Sequence, residues 1–369
     1  MPIKTRLEWL DGLRGWACIV VFLHHLVGAF LLEYLPEYKG PWNSFITDGG
    51  LAVSVFFVIS GFALSVKGVY GEGGSLLVAT TSRYFRLAIP VFAVSLIAFL
   101  LMKAHLIFNK DAARYLADLM RWDARTYNWI GDHFHTQPNF GGMLTFAFYE
   151  CFFEYQPKTS YNSSLWTMQT ELLGSYMLYA FIAIYRSHGK ANWLVALILL
   201  VFFYLKNQKL ACFWLGYILC ELNKSHFDKR DFTSVGSEVL AFAIIATDGY
   251  ISTWHRGFEN HPKVMCLMAA SIVLAVALSP RLKALLSSGL SLFLGKISFP
   301  LYLIQIVVIC SWSSFLLIAL PGLGLGKAIT AGMILVTTAM ICLVISRYLL
   351  AVETMSMRLS KAIALKLLP

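Results

Sequence analysis

Apolar residues run along this chain in blocks divided by polar stretches, and the blocks predict about ten transmembrane helices. They cover residues 16–35, 51–66, 87–102, 165–185, 193–205, 210–222, 235–247, 264–278, 297–320 and 328–350. A span needs ~20 residues, so the fifth to seventh are short and either tilt little, pair within the bundle or insert only partly. The expected fold is an all-α, polytopic membrane helix bundle. It forms one domain over residues 1–369, with a sizeable outer segment at 103–163. No repeat of 20–50 residues and no separate soluble domain stands out. The first block does not read as a cleavable signal peptide, because its flank is acidic and no small-residue cleavage motif follows.

Composition strengthens this picture. Of 369 residues 58% are hydrophobic and 14% charged, with a mean hydropathy of +0.66, whereas a soluble domain carries about 25% charged residues. The net charge of +10 would suggest nucleic acid in a soluble protein. In lipid it raises the question of where the basic residues sit, and no nucleic-acid partner is expected. An even number of spans leaves both termini on one side. That side holds Lys4, Arg6, Arg14, Lys67, Arg83 and Arg86, and further along Arg186, Lys190, Lys229 and Arg230. It carries about three times as many Lys and Arg as the short opposite loops, where Lys39 and Arg256 lie. Both termini are therefore expected in the cytoplasm, with the plasma or inner membrane as the location and membrane lipid as a partner. The seven cysteines form no CxxC pair and mostly lie in apolar runs, so they read as small buried hydrophobes.

Candidate chemistry begins at Leu10-Asp11-Gly12-Leu13-Arg14-Gly15, which runs into the block carrying His24 and His25. At ~100° per residue, eleven steps return to within ~20° of the start, so Arg14, Cys18, Val21 and His25 share one stripe. His24 lies ~100° away, and Asp11 sits one turn before Arg14. The rise of ~1.5 Å per residue puts His25 about 16 Å deeper than Arg14, near the middle of a ~30 Å hydrocarbon core. An ionisable group at that depth suggests a functional site, although a packing histidine and a topology arginine fit the same pattern.

Four further stretches bear on it. Phe56 to Phe62 carries Ser60-Gly61, which permits close helix approach and supplies a hydroxyl. Arg83 and Arg86, three apart before Ile89-Pro90, share a helix face suited to the phosphates of a nucleotide-bearing cofactor or to lipid headgroups. Ser164-Leu165-Trp166-Thr167 leads to Glu171, ~7–8 Å further in, a buried carboxylate that needs a partner or a proton. Paired with His25 it would make an oriented general base. Ser298, Tyr302 and Gln305 form one polar stripe in an apolar helix. The outer segment alternates aromatics and charges (Tyr115, Trp122, Tyr127, Trp129), as an interfacial cap would. Its Asp132-His133-Phe134-His135 lacks further ligands, so no metal is expected.

In their order, Leu10 to Gly15 with His25, Phe56 to Phe62, Arg83/Arg86 before Ile89-Pro90, Leu165-Trp166-Thr167 with Glu171, and Gly295 to Leu303 resemble the acyltransferase 3 family, over about positions 10–305. The resemblance implies transfer of an O-acyl group, usually acetyl, from cytosolic acyl-CoA as co-substrate. The implied acceptor is a hydroxyl on a carbohydrate, a glycolipid or other lipid-linked sugar, or a small secondary metabolite. It implies catalytic roles for Arg14 and His25 and a cofactor role for Arg83 and Arg86. Two departures stand out. Gln305 replaces a histidine frequent in the family, and Leu172 follows Glu171 where a second acid is common. The extracytoplasmic esterase-like domain of some members is also missing from this sequence. The resulting expectation puts the CoA nucleotide on Arg83, Arg86 and Arg14. His25, oriented by Glu171, acts as the base, with Ser60 or Tyr302 at the oxyanion and Asp11 in support. Direct transfer and an acyl-histidine relay both remain open.

The competing expectation is a proton-coupled transporter, in which the intramembrane His and Glu relay protons and Arg14 gates. No inverted repeat and no matching pair of broken spans supports it. A lipid carrier without chemistry would need neither His25 nor the arginine pair.

Overall fold

The computed structural model describes residues 7–41, 44–70, 75–121, 128–185, 191–227, 235–254 and 261–367. Lys4, Arg6, Trp122, Tyr127, Arg186, Lys190, Lys229, Arg230 and Arg256 lie outside the described residues. Among those described there is no strand. In chain order the main helices are α1 (Glu8–Tyr34), α2 (Gly49–Tyr70), α3 (Leu76–Lys103), α4 (Asn109–Met120) and α5 (Phe140–Phe153). They continue with α6 (Thr167–Tyr185), α7 (Ala191–Lys206), α8 (Gln208–Leu222) and α9 (Val235–Trp254). The last four are α10 (Pro262–Leu278), α11 (Pro280–Leu286), α12 (Gly289–Leu323) and α13 (Lys327–Leu367).

Each of the ten apolar blocks lies on one of these helices. Six helices among the described residues, α1, α2, α3, α9, α12 and α13, are long and apolar enough to cross a membrane. The pair α10 and α11, bent by 99°, makes a seventh candidate. The fifth and sixth blocks form helices of 16 and 15 residues, as short as their sequence implied. In α12, 72% of the most apolar window is buried inside the protein, against 22% in α9 and 28% in α13. Helix α12 is thus the central post, while α9 and α13 turn most of their apolar surface outward, where only lipid would favour it.

Small residues and prolines set how the helices meet. Helix α1 packs along α12 at backbone distance. A Cβ on Gly15 would lie 2.5 Å from the Gly295 nitrogen, and one on Gly295 would lie 2.4 Å from the Asp11 carbonyl oxygen. Without a hydrophobic driving force between helices in lipid, such close approach is what holds them. Gly61 does the same for α2 against α8, its missing Cβ leaving room for the Phe213 backbone. In α3 the helix runs unbroken through Pro90. Proline has no N–H to bond the carbonyl four residues back, which is that of Arg86. The Ser356 hydroxyl of α13, which donates at 2.8 Å to the Glu353 carbonyl of its own helix, shares its proton with that carbonyl at 3.3 Å and so links α13 to α3.

The segment between α3 and α6 covers one end of the bundle. Phe134 has a positive φ of 55°, and the turn around it sends His133 inward while His135 bonds Asp132 at 3.0 Å in the open. His133 is buried, with both ring nitrogens lacking a partner. Burial pushes its pKa down to about 4, against a smaller upward pull from Asp132. The folded protein therefore holds this ring neutral, while the unfolded chain takes up a proton below its ordinary value of 6.5. The stability contributed by the neutral ring is complete above about pH 6.5 and is lost as pH falls toward 4, by about 3 kcal/mol in all. Thermal unfolding of the detergent-solubilised protein should become easier across that window, and His133→Gln should flatten the slope. An unchanged slope in the variant would assign the effect to another group.

Candidate active site

Arg14, Cys18 and Val21 share a stripe of α1 as the α-helical pitch requires, with Cys18 and Val21 buried. Arg14 bonds Asp11 at 3.3 Å, one turn before it. At His24 the helix widens into a π-helical segment, His24–Leu31. Such wide turns are rare and concentrate at functional sites. The two histidines do not diverge onto separate faces as a regular helix would have them. Their rings lie edge to face, 5.2 Å between centroids, and both line a cavity of about 300 Å³. His24 is tethered, its Nδ1 2.7 Å from the Thr47 carbonyl oxygen.

A second cavity, of about 230 Å³, opens at the other end of the bundle. Arg14, Ser60, Arg83, Arg86, Glu171 and Glu353 supply its polar lining. Val53, Phe57 and Tyr302 line both cavities and form the partition between them. The Tyr302 hydroxyl donates to the Ser164 carbonyl at 2.8 Å and lies 3.0 Å from the Thr167 hydroxyl.

Glu171 sits in the arginine cavity and makes no hydrogen bond with His25. Its Oε1 accepts from the Ser60 hydroxyl at 2.8 Å and its Oε2 from the Arg83 guanidinium at 2.9 Å. Arg83 also donates to the Ser175 hydroxyl at 2.8 Å. The expected His25–Glu171 dyad is therefore absent from this arrangement. The reason is depth. All of residues 160–165 but the half-buried Ser163 are themselves buried, Asn162 donating to the Leu303 carbonyl of α12 at 2.6 Å. Helix α6 thus starts well inside the protein and carries Glu171 past the partition. Trp166 lines the histidine cavity, Thr167 reaches the partition, and Glu171 lies one turn further on.

The same network separates the two arginines that the sequence treats as a pair. Arg83 and Glu171 side chains are only 11% and 13% exposed and are committed to each other. The Arg86 guanidinium has no hydrogen bond or ion pair among the described residues and faces the cavity, with Arg14, Arg83 and Glu353 as its charged neighbours. Ser60 spends its hydroxyl proton on Glu171, so of the two oxyanion candidates Tyr302 stands nearer the histidine cavity.

His25 takes its orientation from other groups. Trp129, from the covering segment, stacks on its ring at 5.5 Å and 13°, and His133 meets Trp129 edge-on at 4.6 Å. Gln305, fully buried, lies beside the imidazole. The His25 Nδ1 is buried without a hydrogen-bond partner. Among the described residues no three His, Cys, Asp or Glu side chains are grouped to hold a metal ion.

An acyltransferase domain model, that of the acyltransferase 3 family, matches residues 7–348. The chain belongs to that family. It is an acyltransferase and an integral membrane protein. It is also similar to the O-acetyltransferase PaAT-1 of Phomopsis amygdali, 23% identical over 363 residues, covering 81% of this chain and 71% of the relative. No solved structure matches the chain. The acyltransferase motifs quoted from the sequence gather at the two cavities and their partition, with Gly295 setting the α1–α12 contact beneath them.

Two residues of these sites were not singled out for a role. Glu353 lies just past the last apolar block, and its only signal is that it is acidic between Arg347 and Arg358. Lys209, whose ammonium sits 3.8 Å over the Trp166 ring at the histidine cavity, lies in the short polar stretch between two apolar blocks, where its sequence surroundings carry no signal of a role.

Proposed function

We propose that this acyltransferase moves an acyl group, acetyl in the simplest case, from cytosolic acyl-CoA to a hydroxyl of a carbohydrate, glycolipid or secondary metabolite. In this reading the chain crosses the membrane about ten times, both termini and the arginine cavity face the cytoplasm, and the histidine cavity faces the opposite side. The Lys and Arg distribution supports that orientation. The observation that carries the reading is the pair of cavities at opposite ends of the bundle sharing one thin wall. One has a free guanidinium fit for phosphate, the other an imidazole fit for proton transfer.

The donor's phosphates rest on Arg86 and Arg14, and its arm carries the thioester to Tyr302. The acceptor hydroxyl gives its proton to His25 as its oxygen attacks the thioester carbonyl. The C–S bond then breaks, and the departing thiolate takes from the imidazolium the proton that came from the acceptor. Tyr302 stabilises the oxyanion by redirecting the hydroxyl that now serves Ser164. Ser60 and Arg83 hold Glu171 in place beside the donor path, and Asp11 steadies Arg14.

Purified protein given labelled acetyl-CoA and extracts of glycolipids and small metabolites should transfer label to one fraction, adding an acetyl group to it. Arg86→Ala should raise the donor KM by roughly 10–150-fold, the worth of one charge-assisted phosphate contact. Lysine should rescue in part, keeping the charge but losing the fork. Solute flux without any dependence on acyl-CoA would instead favour the transporter.

A further inference from the structure

Among the groups lining the arginine cavity, Glu353 of α13 is the one without an explanation. Glu171, the other acid there, is fully engaged by Ser60 and Arg83. The Glu353 side chain makes no hydrogen bond and no ion pair among the described residues, and its Oε2 is buried without a partner. It lies beyond residues 7–348, so the family match gives it no role. Its place is nevertheless fixed. Three residues along α13, Ser356 bonds the Arg86 carbonyl that Pro90 leaves free, which turns Glu353 toward Arg86 and Arg14.

A carboxylate in a site that takes up phosphates repels them, and a buried acceptor without a donor is costly to leave so. Both penalties fall if the ligand itself brings a hydrogen-bond donor. Beyond its phosphates, the arm of an acyl-CoA carries a hydroxyl and two amide N–H groups before the thioester. We propose that Glu353 is a donor-binding residue whose free oxygen accepts a hydrogen bond from an N–H or O–H of that arm. With Arg86 and Arg14 on the phosphates, this second anchor sets how far the thioester reaches toward the partition. The inference rests on the acyl-CoA reading given above.

Equilibrium binding of acetyl-CoA to the full-length protein in detergent tests it without knowledge of the acceptor. Glu353→Gln removes the charge but keeps a carbonyl acceptor, whereas Glu353→Ala and Glu353→Leu remove both. The Gln variant should bind acetyl-CoA as tightly as the parent or more so. The Ala and Leu variants should bind about ten-fold more weakly than Gln, the worth of one hydrogen bond made by a buried acceptor. Adenosine 3′,5′-bisphosphate, which lacks the arm, should bind all three neutral variants alike, and its binding also reports that each is folded. Leu fills the space that Ala would leave, so one of the two suffices. Equal acetyl-CoA affinity in Gln, Ala and Leu, with the parent binding normally, would overturn the role of Glu353 alone. A parent protein that binds no acetyl-CoA would overturn the donor reading on which it stands.

Discussion

Replacing Arg83 with alanine is expected to destabilise the bundle by about 3–5 kcal/mol, because it strands the Glu171 carboxylate in a part-buried site. Arg86→Ala should cost under about 0.5 kcal/mol of stability, since its guanidinium has no partner to strand. The two substitutions thus separate into a structural loss and a donor-binding loss, although the residues lie three apart on one helix. Thermal unfolding with parallel acetyl-CoA titration reads both. Arg83→Ala combined with Glu171→Met should recover much of the stability, because removing both charges removes the penalty of leaving one unpaired. If Arg83→Ala left the unfolding temperature unchanged and weakened donor binding as Arg86→Ala does, the pairing seen here would not govern the site.

The second large effect falls on His25. His25→Ala should lower the turnover rate by about 10²–10⁴-fold, the usual contribution of a positioned general base, while acetyl-CoA still binds. His24→Ala should do far less, since the His24 ring is held by the Thr47 carbonyl and its role is to brace its neighbour. Single-turnover rates with a saturating donor separate chemistry from binding. An active His25→Ala protein beside a dead His24→Ala protein would reverse the assignment.

Much of this architecture was written in hydropathy and spacing. The ten apolar blocks fall on helices, the arginine and histidine stripe of α1 keeps its phase through Val21, and Ser60-Gly61 supplies both a hydroxyl and a close crossing. What escaped was set by contacts that no local pattern encodes. The position of Glu171 depended on how deeply residues 160–165 are buried, which is decided by Asn162 reaching a carbonyl on α12. The shared cavity of His24 and His25 depended on a π-helical turn, and its one glycine, Gly28, lies four residues past His24 and does not by itself announce a widened turn. The stacking of Trp129 on His25 brings together residues more than a hundred positions apart, and periodicity is blind to that. Arg83 and Arg86 look equivalent on a helical wheel. Only the partner across the cavity tells them apart.

The partition made by Val53, Phe57 and Tyr302 has a consequence outside catalysis. A protein hollowed from both ends leaves little material between two aqueous compartments, and these side chains are where the remaining insulation lies. Water joining the cavities there would connect ionisable groups on both sides into a path for protons. If the two cavities serve donor and acceptor on opposite sides as proposed, this wall also insulates the membrane, and any widening of it for a larger acyl group is limited by leakage.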